Sequence, residues 1–221
     1  MSSRRQQSLD QGSELEALVR EPCRVRHFRK DHPVPRADVE RMVEFARCAV
    51  TPCDSQAWRF IAVRDRELLD GMLRIVLERF EQLALLPGLA LREKERAMAR
   101  AQALVFAKAP LCIAVVTMPS DSLAERLMEA AGLTPEEHER LCVRPELQSA
   151  GAAVQLLATA AHAMGYGACW SCAAILAGER LEELLGITPP ARLVALVPIG
   201  RPAERAEAPS RRPLEEVLSL R

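Results

Sequence analysis

The run Leu111 to Thr117 lies between Pro110 and Pro119 and contains no charged residue. A strand with one wet face alternates apolar and polar positions, and this one does not, so both of its faces must be covered. It belongs at the centre of a sheet with packing layers on either side. A second segment makes the same demand at helical length. From Leu147 to Met164 the chain is apolar nearly all round, relieved mainly by Gln148, Ser149, Gln155, Thr159 and His162. Such a helix is expected in the middle of the molecule, ended by Gly165-Tyr166-Gly167 as glycine ends helices.

The remaining elements arrange themselves around these two. Val39, Met42, Val43, Ala46 and Val50 recur at helical spacing behind Pro33 and Pro35, giving a helix over 36–49. Trp58 to Val63 is aromatic and β-branched, a short strand ended by Arg64-Asp65-Arg66-Glu67. Leu69, Met72, Leu73, Val76, Leu77 and Phe80 form an amphipathic helix, and Pro87-Gly88 separates it from a third over 91–107. Residues 120–147 read as a charged helical excursion or lid. A short helix over 179–185 closes at Gly186, Leu193 to Ile199 is a strand, and the proline-bearing tail is irregular until Leu214. Residues 1–20 form a polar N-terminal arm. With no repeat or linker, 21–221 is one domain of α+β class.

Thirty basic residues against thirty acidic ones give a formal charge of zero, which argues against nucleic acid as a partner. No stretch approaches the 18 or so apolar residues of a membrane helix. The cysteine count is odd and no secretory leader precedes it, so a reduced, cytoplasmic protein is expected.

Three polar or glycine-rich segments interrupt this apolar plan. In Arg24-Val25-Arg26-His27-Phe28, alternate residues of an extended chain share a face, so Arg24 and Arg26 present paired guanidiniums. That pair suits a phosphate; by itself it equally describes a solvated basic stretch, with Arg29 and Lys30 adjoining. The second segment, Ala49 to Trp58, passes through small hydrogen-bonding residues and either lines a polar ring or merely joins helix to strand. The third runs from Gly151 to Gly167 and on through Cys169-Trp170-Ser171-Cys172, where glycines let a ligand approach backbone.

In this order the segments resemble the nitroreductase family of FMN-dependent oxidoreductases, over roughly residues 22–218. The resemblance rests on Arg24, Val25, Arg26 and Phe28; on Thr51, Gln56 and Trp58; and on Gly151, Ala153, Gln155, Gly165 and Gly167. Gly200, Pro202, Arg212, Pro213, Leu214, Glu215 and Glu216 complete it. It implies a central mixed or antiparallel sheet flanked by helices, in an intertwined homodimer with exchanged C-terminal arms. It further implies FMN at the dimer interface, with Arg24, Val25, Arg26 and Arg211 or Arg212 at the phosphate and ribityl chain. Thr51, Pro52, Asp54 and Gln56 would border the flavin from the partner subunit, and backbone around Ser171 and Cys172 would face the ring edge. Hydride would come from NADH or NADPH and pass to a small electrophilic acceptor, a nitroaromatic or quinone, with no side chain acting as catalytic base. Relatives of that kind also oxidise azolines, dehalogenate aromatics or cleave flavin itself.

The chain departs from the family pattern at several places. Pro22 and Cys23 replace basic or polar residues, Arg24 replaces a small hydroxyl, Asp54 stands in place of an amide and Leu156 in place of Asn. An ionised Asp54 accepts hydrogen bonds and cannot donate. Two readings follow: a flavoenzyme with altered potential or substrate, or a non-catalytic flavin binder or redox sensor with weakened FMN affinity. Cys169 and Cys172 form a Cys-x-x-Cys pair, which is a redox dithiol, half of a metal site or two small core residues. Cys48 and Cys53 flank the second segment. His138 and Cys142, four apart on an expected helix, are a weak zinc half-site, and no metal is expected. His27, His32 and His162 read as structural or solvent-facing.

Overall fold

A computed structural model describes residues 16–20, 24–119, 123–141, 144–204 and 210–221. The expected strand over Leu111–Thr117, β2, is buried at every position and lies inside a four-stranded sheet. β1 (Trp58–Val63) flanks it on one side, β4 (Arg192–Gly200) on the other, and a two-residue β3 (Gly167–Ala168) forms the far edge. All three pairings are antiparallel. Among the described residues the one parallel contact is an isolated bridge from Arg24 to Ala168.

Period-two alternation along β2 feeds two cores. Cys112, Ala114 and Val116 face a cluster with Met72, Val76, Phe106 and Leu181. Leu111, Ile113 and Val115 face another with Met42, Ala46, Val154 and Leu157. The first cluster belongs to helices α2 (Arg66–Ala84) and α8 (Gly178–Leu184), the second to α1 (Arg36–Arg47) and α7 (Pro145–Ala163). α2 begins earlier than its apolar stripe because the Asp65 carboxylate accepts a 2.8 Å hydrogen bond from the Leu68 N–H, capping the first turn.

Three expectations change. Helix 91–107 is α4 (Glu93–Ala103) followed by a 3₁₀ turn over Val105–Lys108, with α3 (Pro87–Ala90) before it. Val105, Phe106 and Ala107 are consecutive and all buried, and residues 100° apart on an α-helix cannot all face one core. The 120–147 excursion contains two short helices, α5 (Leu123–Ala130) and α6 (Pro135–Leu141), with Gly132 at φ +61° between them. α7 is buried on one side only. Ser149, Ala153, Val154, Leu157 and Ala161 face the core, whereas Leu147 and Leu156 remain 45% and 37% exposed. Its apolar composition therefore exceeds what the rest of the described chain covers.

Candidate functional site

The first basic segment is tied to the β3 edge by its backbone. The Val25 N–H donates to the Ala168 carbonyl at 2.8 Å, and Phe28 bridges Pro202. Val25 and Phe28 are buried with Val105, Ala109 and Cys169 in a small third cluster. Burying Val25 leaves its neighbours Arg24 and Arg26 together on the opposite, exposed face, as extended geometry requires. Neither arginine has a carboxylate partner among the described residues. Both act electrostatically on Cys169: burial pushes that thiol up, while the Arg26 guanidinium, then Arg24, pulls it back. Two guanidiniums converge on one patch with their charge uncompensated, and that donor set fits a phosphate.

Gly167 does not open the backbone to a ligand, as its glycine suggested. A Cβ there would lie 2.2 Å from Cγ2 of Val25, so the glycine exists for the segment carrying the arginines. Gly200 does similar work, since a Cβ would meet Pro110 at 2.7 Å and Phe28 at 3.2 Å.

The second segment forms a compact loop with unusual backbone. Asp54 and Gln56 have φ of 50° and 43°. Asp tolerates that region through its short polar side chain; for Gln it costs on the order of 1 kcal/mol or more. Buried Thr51 holds the loop: its Oγ1 accepts from the Gln56 N–H at 3.3 Å and its carbonyl from the Asp54 N–H at 3.2 Å. Pro52, Asp54 and Gln56 point to solvent. The loop enters β1, at the sheet edge opposite β3, about 14 Å away at the usual strand spacing. Within one protomer the structure does not bring it to Arg24 and Arg26.

Ser171 is committed to the fold. Its N–H and carbonyl pair with Leu196, and its hydroxyl donates to the Gln102 carbonyl at 3.3 Å. Cys172, next in sequence, is exposed, whereas Cys169 is buried. Exposed Trp170 lies against α7, where Gly151 leaves room: a Cβ there would be 3.4 Å from the indole. Arg211 and Arg212 are exposed in the tail and have no described contact with the Arg24 and Arg26 patch. Pro22, Cys23 and Cys142 lie outside the described residues, as does the side chain of His138. Among the described residues no group of His, Cys, Asp and Glu has the makings of a metal site, and no helix is long and apolar enough to cross a membrane.

One polar cluster escapes sequence reading. The Tyr166 hydroxyl donates to Asp38, binding β3 to α1, and the Arg201 guanidinium lies 4.4 Å from the Tyr166 ring centre. Arg201 also donates to the Gly165 carbonyl at 2.8 Å, closing the end of α7. Burial, and then the Asp38 carboxylate, push the Tyr166 phenol up, tempered by Arg201. The three residues are far apart in sequence, and no spacing rule links them.

An antiparallel sheet between helical layers, with a basic segment clamped to its short edge strand, defines a small α+β fold with two exposed arginines at that edge. The chain belongs to the nitroreductase family, whose model matches residues 23–201. It is 30% identical over 197 residues to the 5,6-dimethylbenzimidazole synthase of Rhodospirillum rubrum, covering 88% of this chain and 85% of that one. Among solved structures, it is similar to a BluB-like flavoprotein from Clostridium difficile, with a TM-score of 0.84 at 23% identity, covering 93% and 98% of the two chains. A nitroreductase with bound FMN from Desulfitobacterium hafniense matches with a TM-score of 0.68 at 20% identity, over 93% and 97%. The nitroreductase-like fold is thereby established, with a sheet that is antiparallel rather than mixed.

Proposed function

We propose that the protein is an FMN-dependent oxidoreductase, in which Arg24 and Arg26, with Arg211 or Arg212 from the tail, hold the cofactor phosphate and ribityl chain. The uncompensated guanidinium pair beside Cys169 carries this reading. When bound, FMN supplies the redox chemistry, taking hydride from NADH or NADPH and delivering reducing equivalents to a small electrophilic acceptor. The chain's own residues then bind and orient the cofactor, with Arg24 and Arg26 answering the charge of its phosphate. In this reading the partner subunit of a homodimer lends its Thr51, Pro52, Asp54 and Gln56 loop. Exposed Leu147 and Leu156 on α7, with Leu214, Val217, Leu218 and Leu220 in the tail, supply apolar surface for a second copy. The described cysteines are free, which suits a reducing cytoplasm.

Fluorescence titration with FMN, followed by anaerobic mixing with NADH or NADPH and then a nitroarene or quinone, tests the reading. Flavin bleaching and reoxidation are expected. Absence of any FMN binding removes the enzyme, and binding without reduction removes the NAD(P)H-dependent reaction. A second reading follows from the 30% identity to a dimethylbenzimidazole synthase and from the TM-score of 0.84 to the BluB-like flavoprotein, above that of the FMN-bound nitroreductase. Here FMN would be consumed rather than recycled. Chromatography of an aerobic incubation with reduced FMN separates the two: 5,6-dimethylbenzimidazole appears in one case, and intact FMN returns in the other.

A further inference from the structure

The antiparallel register places Val63 opposite Cys112, so the residues just outside these strands, Arg64 and Pro110, share one end of the sheet. The contact of Gly200 with both Pro110 and Phe28 carries the segment after Phe28 to that same end. A recess of about 400 Å³ opens there, walled by the cations Lys30, Arg64, Arg66 and Lys108 over an apolar floor that includes Leu69 and Pro110. No carboxylate lines it among the described residues. Arg66 is oriented by the Ala107 carbonyl at 3.0 Å and by Asp70, and the nearby Asp65 carboxylate is spent on the α2 cap. Lys30, Arg64 and Lys108 have no ion-pair partner among the described residues.

Asp70 answers Arg66, which leaves three unpaired cations at one recess in a chain with no bulk excess of positive charge. Their mutual repulsion around one recess is unfavourable unless an anion answers it. The volume is that of a small-molecule site. Guanidiniums and ammoniums together match the oxygens of a phosphate, and Pro33 and Pro110 provide a surface for its organic carrier. We propose that this recess is a second anion site, separate from Arg24 and Arg26, which takes a small phosphate-bearing molecule. It does not depend on the flavin reading.

The test uses the full chain saturated with FMN, or the chain alone should FMN not bind, titrated calorimetrically with pyrophosphate at low salt. Saturable binding is expected, beyond any effect of potassium chloride at matched ionic strength. The doubly substituted R64S/K108S protein should bind pyrophosphate at least about tenfold more weakly and FMN as well as before, since both side chains are exposed and outside the flavin patch. The R24S/R26S protein should keep its pyrophosphate affinity. Adenosine 2′,5′-bisphosphate serves as a competitor: displacement identifies a phosphorylated nucleotide as the ligand class, and failure to displace identifies a smaller phosphate compound. Absence of saturable binding, competition between pyrophosphate and FMN, or an unchanged affinity in R64S/K108S overturns the proposal.

Discussion

Replacing Gly167 by Ala tests whether the clamp between β3 and the basic segment is what positions Arg24 and Arg26. The added methyl would lie 2.2 Å from Cγ2, 2.4 Å from Cβ and 3.0 Å from Cγ1 of Val25. None of these is the far end of a flexible chain. Val25 is 5% exposed and its N–H is bonded to Ala168, so the strain must move backbone. Overpacking of this kind costs about 1–3 kcal/mol. For a chain of this size that lowers Tm by about 2–12 °C, at about 2–4 °C per kcal/mol. Val25→Gly removes all three clashing atoms and by itself costs about 3 kcal/mol in buried carbon and backbone entropy. In the double variant the new methyl occupies part of the vacated space, so the two penalties should fall short of their sum by at least about 1 kcal/mol. Urea unfolding of the four proteins gives this coupling. FMN titration supplies an independent reading: G167A should weaken flavin binding because the segment bearing the arginines shifts, and V25G/G167A should restore part of it. Additive penalties, or a G167A protein as stable as the parent, would refute the reasoning.

Other perturbations address separate parts of the molecule. R24S and R26S are each expected to weaken FMN binding about tenfold or more in fluorescence titration, with a steep salt dependence. Tyr166 is the chain's one tyrosine, so absorbance at alkaline pH reports it alone. Its folded-state pKa lies above 10, chiefly through burial, and its stabilising contribution is therefore complete below pH 10 and lost as pH rises through the folded value. Y166F should lack that component of alkaline destabilisation, and D38N should lower the observed titration of Tyr166. Leu147→Arg with Leu156→Arg, on the open face of α7, should leave a folded monomer by light scattering if that face meets a second copy. Alkylation mapped by mass spectrometry should label Cys172 promptly, Cys169 slowly, and Cys112 only on unfolding, because full burial holds the Cys112 thiol protonated.

What the sequence determined by itself follows from local chemistry and from one-dimensional pattern. The uncharged run at Leu111–Thr117 could only be an interior strand, and it is buried at all of its seven positions. The spacing of Val39, Met42 and Ala46 fixed α1, and the alternation around Val25 put Arg24 and Arg26 on one exposed face. Tertiary structure decided what depends on which surfaces meet. β3 is two residues long and exists because β4 and the Arg24 segment pair with it, and periodicity cannot reveal a strand that short. Gly167 looked like a ligand approach and is instead the space Val25 occupies. The Tyr166, Asp38 and Arg201 cluster joins three elements, and the basic recess gathers Lys30, Arg64, Arg66 and Lys108 from three separate segments at one end of the sheet. α7 marks the boundary most sharply. Its composition specifies that it is to be covered all round, while the described chain covers one side, because hydrophobicity encodes how much surface must be buried and not which surface will bury it.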